Sequence, residues 1–273
     1  MESIEVLRLA ALQHMRPDSQ ISPNRISTLA EFIETCSALT RREQRYWFRG
    51  HADAGWSLTP SALRFSSETK RTTALQAIDS FKRLAATKLK EAPPPTDGLQ
   101  WIQIARHYGL PTRLLDWTEN AAIALYFACE RVMKSGKEQD GLVFVLDPIE
   151  LNVIVDKERP RILDAYRDGD LIMPYLELKG RCTPKGRPSI AIDPVWNSER
   201  LVLQKGKFTL HGAGDFALST NQVPSLVALA VLREDKATLL DELQTIGIDE
   251  MSIFPEPDHV CSHICRVLGL KGK

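Results

Sequence analysis

The spacing of apolar residues predicts helices mainly in the first half of the chain. An apolar residue at every third or fourth position is typical of a helix with one buried face. This pattern occurs over residues 4–14, 26–39, 72–91, 98–108 and 122–133. Polar residues just before two of these segments are the expected N-terminal caps: Asn24 or Ser27, and Asp116 or Thr118. Gly109 is expected to end the fourth helix.

Strand patterns are concentrated in the second half. The apolar runs at 141–147 and 225–232 are typical of buried strands. Residues 200–212 alternate around Gly206, which suits a hairpin or a bulged strand, and residues 246–254 predict a last strand. Further helices are expected near residues 158–168, after Asp235 and after Asp258.

One early strand precedes most of the helices. The aromatic residues at 46–48 favour a strand, and Gly50 is expected to end or bend it. The predicted helices lie mostly in the first half of the chain and the predicted strands in the second half. This order favours an α+β domain with a mixed, mainly antiparallel sheet flanked by helices. We expect a single domain over residues 25–273, preceded by an N-terminal helical extension over residues 1–24.

Composition narrows the function classes. The 273 residues include 35 Lys plus Arg and 35 Asp plus Glu, so the formal net charge is zero and a general polyanion binder is not expected. The five cysteines are odd in number and scattered, unlike a secreted disulfide framework. The first residues lack a signal-peptide pattern, and no apolar run has the length of a membrane span. These features predict a cytoplasmic protein without a membrane partner, in which self-association is plausible.

Two short segments are rich in residues that bind anionic ligands. Arg49 lies at the end of the predicted early strand, where a guanidinium can hold a phosphate, and Gly50 lets a ligand approach the backbone. The second segment contains His107, Tyr108, Arg113, Asp116, Trp117 and Thr118. Each segment also has a structural interpretation: Arg49 as an exposed strand end, and Asp116 as a helix cap or a partner of Arg113. The sequence leaves both interpretations open.

Other groups of polar residues suggest weaker alternatives. His51, His107 and His211 with Asp53, Asp116 and Asp215 offer acid–base groups for a nuclease. His259, Cys261, His263 and Cys265 crowd one segment, but on a helix the two pairs lie on different faces, so no metal site is predicted. The basic loop of Lys179, Arg181, Lys185 and Arg187 could orient a nucleotide.

The two ligand-binding segments resemble one family. WFRGH at 47–51, followed by HYGLPTRLLDWTENAAIALYFA at 107–128, closely resembles the pattern of the FRG domain family, which is named after its Phe-Arg-Gly motif. QKGKF at 204–208 and the Gly-Ile…Phe-Pro pattern near 247–255 resemble its later stretches, so the resemblance spans roughly residues 25–270. The family pattern does not by itself define an activity.

A second resemblance suggests a chemistry. The Arg49-Gly50 pair resembles the arginine strand of ADP-ribosyltransferases, and the stretch around Tyr126 resembles their Tyr-Phe-Ala segment. The resemblance implies that Arg49 holds NAD as a substrate and that Glu250 stabilises the cation formed as nicotinamide leaves. Trp117 or Tyr108 would then stack on the nicotinamide. The Ser-Thr-Ser strand and the Glu-x-Glu signature of those enzymes are absent, and Asp249-Glu250 is the nearest substitute.

The sequence therefore supports three function classes. The first is an NAD-using ADP-ribosyltransferase-like protein or NAD glycohydrolase, an effector that the family resemblance links to toxins or phage defence, with an unknown acceptor macromolecule. The second is a nuclease, and the third is a non-catalytic module for a nucleotide-type small molecule. The expected catalytic residues are Arg49, Glu250 and Asp116. The expected ligand-binding residues are Arg49, Gly50, His107, Tyr108, Arg113, Trp117, Thr118 and Tyr126. We expect Arg49 and an Arg113/Asp116 pair to line one pocket.

Overall fold

The computed structural model describes residues 24–40, 45–176, 187–212, 217–218 and 223–270. The expected N-terminal extension lies outside these residues apart from Asn24. Asp215 and most of the basic loop, Lys179, Arg181 and Lys185, also lie outside them.

Strands and helices alternate irregularly along the described chain. The strands are β1 (Asn24–Ile26), β2 (Trp47–His51), β3 (Leu114–Thr118), β4 (Met133–Lys134), β5 (Lys137–Glu138), β6 (Gly141–Leu146), β7 (Leu163–Asp164), β8 (Ile190–Asp193), β9 (Gly206–Leu210) and β10 (Val227–Val231). The helices are α1 (Leu29–Leu39), α2 (Glu68–Ala85), α3 (Gly98–His107), α4 (Ala121–Cys129), α5 (Pro148–Asn152), α6 (Gly169–Leu176), α7 (Glu199–Leu203), α8 (Lys236–Thr245), α9 (Glu250–Ile253) and α10 (Pro257–Val267). A 3-10 turn covers Ser61–Leu63.

One large sheet organises the described residues. Its eight strands follow the order β1-β10-β6-β2-β3-β9-β8-β7. The outermost pairs, β1 with β10 and β7 with β8, are parallel, and the pairs between them are antiparallel. The predicted α+β class with a mixed, mainly antiparallel sheet is confirmed.

The centre of the sheet is buried on both faces. Along β6, Leu142, Phe144 and Leu146 belong to one hydrophobic cluster, whereas Val143 and Val145 belong to another. This double burial explains why β6 is an uninterrupted apolar run rather than an alternating one. Helix α4 contributes Ala124 and Leu125 to the second cluster, where they lie beside Phe48 of β2.

Gly50 allows α4 to pack directly against β2. A Cβ atom at this position would lie 1.9 Å from the carbonyl oxygen of Ala124 and 2.6 Å from the amide nitrogen of Ala128. Gly50 lies inside β2, so of the two expectations, that it ends the strand or bends it, the first was wrong. Its function in the fold is close approach of two backbones.

The sheet opens between β2 and β3. These two strands share a single register pair, Phe48 with Thr118, whereas each shares five register pairs with its other neighbour, β6 or β9. Because the ladder is so short, backbone groups beyond it need other hydrogen-bond partners. Arg49 Nη1 supplies one by donating to the Asp116 carbonyl oxygen at 2.6 Å.

Residues 116–118 form part of a strand rather than a helix cap. Asn120 caps α4 instead, since its side-chain oxygen accepts from the amide of Ala122 at 3.0 Å. Thr28 similarly caps α1, in a capping box with Glu31, where Asn24 or Ser27 was expected. Both expected caps were wrong because a better-placed Asn or Thr lies nearer the first helical residue.

The predicted last strand at 246–254 was wrong. Gly247 adopts φ +80° just after α8, and Asp249 then caps the short helix α9. The Asp249 carboxylate accepts from the amide of Ser252, and the Ser252 hydroxyl accepts from the amide of Asp249. This reciprocal box starts a helix that the apolar pattern does not reveal.

Two further segments differ from the predictions. The helix expected at 158–168 is absent: β7 lies there, and Asp168 accepts from the Asp164 amide at 2.8 Å just before α6 begins. Of residues 200–212, the first four belong to helix α7, which Ser198 caps, and the strand β9 begins only at Gly206. The caps again decide where these helices start.

No helix in the described part of the chain is both long and apolar enough to cross a membrane.

Replacing Gly50 with alanine should destabilise the protein by about 1–3 kcal/mol or more, because the new methyl group meets backbone atoms that cannot rotate away. The measurement is the free energy of unfolding from urea denaturation. Gly169→Ala is the matched control, since a Cβ there meets nothing within 4 Å at the start of α6. Equal stability of the two variants would contradict the packing argument.

Candidate functional site

A cavity of about 470 Å³ adjoins the opening between β2 and β3. Its wall includes residues of both strands, of α3, of α4 and of the α7–β9 segment. The polar and aromatic residues that line it include Arg49, Trp56, Gln103, Arg106, His107, Asp116, Thr118, Glu130, Arg200 and Lys207. This volume lies within the range of small-molecule sites, roughly 300–1,000 Å³.

The Arg49 guanidinium closes the opening and also faces the cavity. Its Nη1 donates to the Asp116 carbonyl oxygen, and its Nε donates to His51 Nε2 at 2.9 Å. Since His51 Nε2 accepts this bond, His51 carries its proton on Nδ1, which lies 3.2 Å from the Trp56 carbonyl oxygen. Burial lowers the pKa of Arg49 to about 10, although the Asp116 charge opposes that shift. Arg49 is therefore a protonated, positioned cation at neutral pH.

Asp116 is paired with Arg106 rather than with Arg113. Arg106 Nε donates to Asp116 Oδ1 at 3.1 Å and its Nη2 donates to Oδ2, which is a bidentate pair. Burial acts to raise the pKa of Asp116, but the charge and hydrogen bonds of Arg106, together with Arg49, outweigh it and hold the pKa at about 2. The carboxylate is thus ionised and committed to two arginines.

A third arginine adds to the positive charge. Arg64 donates to the Thr59 carbonyl oxygen at 2.8 Å, and its charge acts to lower the pKa of Arg49. Burial, followed by the charge of Arg106, lowers the pKa of Arg64 itself. One carboxylate, Asp116, lies among these three guanidinium groups. The excess of positive charge favours an anion in the cavity.

Arg113 lies away from the cavity wall. Its side chain is buried and donates to the carbonyl oxygens of Tyr175 and His211. The expectation that Arg113 and Asp116 form one pair beside Arg49 was therefore wrong for Arg113 and right for Asp116. Arg113 immediately precedes β3, and backbone carbonyl oxygens rather than Asp116 accept its hydrogen bonds.

Trp117 borders the cavity but packs into the core. Its ring belongs to the cluster of Trp47 and Phe144, and its Nε1 donates to Thr209 Oγ1 at 3.1 Å. The more accessible aromatic residue on the cavity wall is Trp56, which is 46% exposed. Sequence reasoning missed Trp56, because an isolated tryptophan in an irregular segment carries no pattern.

The remaining predicted residues are divided between the cavity and its surroundings. Gly50, His107 and Thr118 line it, and the Thr118 hydroxyl donates to the Gln204 carbonyl oxygen at 2.6 Å. Tyr108 is 65% exposed and contacts the His107 ring, outside the cavity wall. Tyr126 lies on α4, is half-buried against the core and is not part of the cavity wall.

Glu250 is not part of the cavity wall. It lies in helix α9, and its Oε1 pairs with His259 Nδ1 at 2.9 Å. The strand position that the transferase resemblance implied for Glu250 was wrong. Glu130, at the end of α4, is a carboxylate that does line the cavity.

The far wall comes from later in the chain. Lys207 of β9 is neutralised by Asp193, at 2.5 Å, and by Glu119, at 3.6 Å. Arg200 of α7 lies over the ring of Phe254, 4.6 Å from its centre. Arg200 thus joins the cavity to the packing around α9.

Within the described residues, no group of three or more His, Cys, Asp or Glu side chains is arranged to hold a metal ion. The histidines and cysteines of residues 259–265 lie on α10.

Residues 44–137 match the family model of the FRG domain. This segment of the chain is similar to the FRG domain family. The match includes Arg49, Arg106 and Asp116 of the cavity wall, whereas Arg200 and Lys207 lie beyond its end. No curated protein and no solved structure gave a match to the chain.

Asp116→Asn should remove a pH-dependent contribution to the stability of the protein. The pKa of Asp116 is about 2 in the folded protein and about 4 in an unfolded chain. Because the folded pKa is depressed, the stability from this carboxylate is present above about pH 4 and is lost as the pH falls towards 2. The difference in unfolding free energy between wild type and variant should therefore shrink over this interval.

Urea denaturation at a series of pH values measures that difference. Asp241→Asn is the control, since the Asp241 side chain is exposed on α8 and makes no ion pair among the described residues. If the difference in unfolding free energy between wild type and Asp116→Asn stays constant from pH 7 to pH 2, the pairing of the ionised carboxylate with the arginines contributes nothing to folding.

Proposed function

We propose that this cavity binds NAD and that the protein is an ADP-ribosyltransferase-like enzyme or NAD glycohydrolase. The observation that supports this most is the pair of guanidinium groups, Arg49 and Arg106, which line one cavity of small-molecule size with only Asp116 between them. Two fixed guanidinium groups suit a pyrophosphate, whose oxygens accept bidentate hydrogen bonds.

The charge balance of the wall supports an anionic ligand. Arg49, Arg106, Arg200 and Lys207 are basic, and Asp116 and Glu130 are acidic, so these side chains have an excess of two positive charges. Lys207 is compensated by Asp193 and Glu119, and Arg200 pairs with Glu256 at 3.7 Å. Arg49 and Arg106, which share the single carboxylate of Asp116, are therefore the part of the wall that favours an anion. The fixed charges of the arginines would replace the hydration that a ligand phosphate loses on binding.

Glu130 is the carboxylate best suited to the bond-breaking step in this proposal. When nicotinamide leaves with the electron pair of the N-glycosidic bond, positive charge develops on the ribose, and a nearby carboxylate stabilises it. Water or an acceptor nucleophile then forms the new bond to the same ribose carbon and loses a proton. Asp116 is held by two arginines, whereas the Glu130 carboxylate has no ion pair among the described residues.

Non-catalytic binding of a nucleotide is the second candidate. The absence of Glu250 from the cavity wall and the commitment of Asp116 to Arg106 favour it, because both were expected to act in catalysis. The nuclease alternative has less support: of the described groups considered for it, only His107 and Asp116 line the cavity. A cytoplasmic effector of toxin or phage-defence type, with an unidentified acceptor, stays an expectation based on composition and family resemblance.

Arg106→Met should weaken NAD binding at least about tenfold, because a charge-assisted hydrogen bond to phosphate is worth roughly 1.5–3 kcal/mol. Arg49→Met should do the same, and Arg49→Lys should not restore it, since lysine lacks the planar fork. Calorimetric titration with NAD measures affinity, and thermal unfolding shows whether each variant is folded. Arg167→Met is the control, because the Arg167 side chain is 84% exposed.

Turnover separates the two candidates. Nicotinamide released from NAD is measured by chromatography for wild type and for Glu130→Gln. The transferase or glycohydrolase proposal expects release that drops sharply in Glu130→Gln while NAD affinity is kept. Saturable binding without release supports the binding module, and a protein that binds no NAD overturns the proposal.

A further inference from the structure

Gln103 is the one polar side chain among the buried residues of α3. It lies on α3, is only 3% exposed, and forms part of the cavity wall. The other inward positions of α3 are Leu99, Trp101, Ile102 and Ala105. Burial of a primary amide among such residues is costly unless its hydrogen bonds are made.

The amide of Gln103 has no hydrogen-bond partner among the described residues. Neither Nε2 nor Oε1 is bonded, and both atoms are shielded from solvent. Buried polar groups without partners are rare in folded proteins, and each one needs an explanation such as a ligand that is absent. A purely structural role would require a protein partner for at least one of the two atoms.

Arg106 follows Gln103 by three residues on the same helix. Residues at this spacing lie side by side on a helix surface. A ligand whose phosphate is held by Arg106 therefore brings its neighbouring groups close to Gln103, at a wall that both residues share.

We propose that Gln103 determines ligand specificity by pairing with a planar group that presents a hydrogen-bond donor and an acceptor side by side. This inference rests on the proposed function of the same cavity. Two parts of NAD have this chemistry: the carboxamide of nicotinamide and the N6/N7 edge of adenine, which a glutamine amide matches in two hydrogen bonds. A carboxylate, or the corresponding edge of hypoxanthine, presents only hydrogen-bond acceptors. The amide oxygen of Gln103, which needs a donor, would then stay unpaired.

The test compares pairs of ligands that differ at this edge. AMP against IMP tests the adenine edge, and nicotinamide mononucleotide against nicotinic acid mononucleotide tests the carboxamide. Wild-type protein should prefer the first member of one pair by about tenfold or more in Kd, because a bidentate pair discriminates by about that factor. The pair that shows the preference identifies the part of the ligand that Gln103 contacts.

Gln103→Met removes both polar atoms and keeps the length of the side chain. It should abolish the preference while leaving the melting temperature unchanged or higher, since an unpaired buried amide is removed. Gln100→Met is the matched control on the same helix; the Gln100 amide bonds to Asp97 and lies outside the cavity wall, so its loss should keep the preference.

Three results overturn the inference. Wild type could show no preference in either pair, Gln103→Met could keep the preference, or Gln103→Met could lower the melting temperature, which would reveal a protein partner for the amide. If no nucleotide binds at all, the proposed function and this inference fail together. If nucleotides bind through Arg106 but Gln103→Met changes nothing, only the inference fails.

Discussion

The hydrogen bond from the Arg49 guanidinium to the Asp116 backbone is the contact on which the arrangement of the site depends. Strands β2 and β3 are neighbours in the centre of the sheet, yet they share one register pair. A side chain here takes over a hydrogen bond that a continuous ladder would make between backbones. The sheet can therefore open without leaving the Asp116 carbonyl oxygen unpaired, and the cavity lies at that opening.

This use of an arginine determines the electrostatics of the site. Burial removes water from the Arg49 guanidinium, which disfavours its charge. The Asp116 carboxylate, which also pairs with Arg106, offsets part of this desolvation. A single carboxylate cannot neutralise two guanidinium groups, and Arg64 adds a third positive charge nearby. The same groups that hold the opening in place thus attract an anion, so structural and binding roles coincide in the same residues.

Several site residues could be predicted from the sequence because they belong to contiguous motifs. Arg49 and Gly50 follow a strand-forming aromatic pair, and Asp116 and Thr118 lie in a segment dense in polar side chains; all four border the cavity. The same segment led to the wrong prediction that Arg113 lines the cavity, because proximity in sequence does not reveal which groups a side chain meets in the fold. The sequence did not point to Gln103, Arg106 or Trp56. These residues border one cavity only because separate segments meet in the fold.

The sequence by itself determined the α+β class, the mainly antiparallel sheet, the buried strand β6 and the end of α3 at Gly109, because apolar periodicity and local backbone preferences act over a few neighbouring residues. Only the tertiary structure decided that Arg106 rather than Arg113 pairs with Asp116, that residues 246–254 contain a capped helix, and that Glu130 rather than Glu250 borders the cavity. These outcomes depend on strand register and on side-chain caps, which bring distant residues together and override the local pattern.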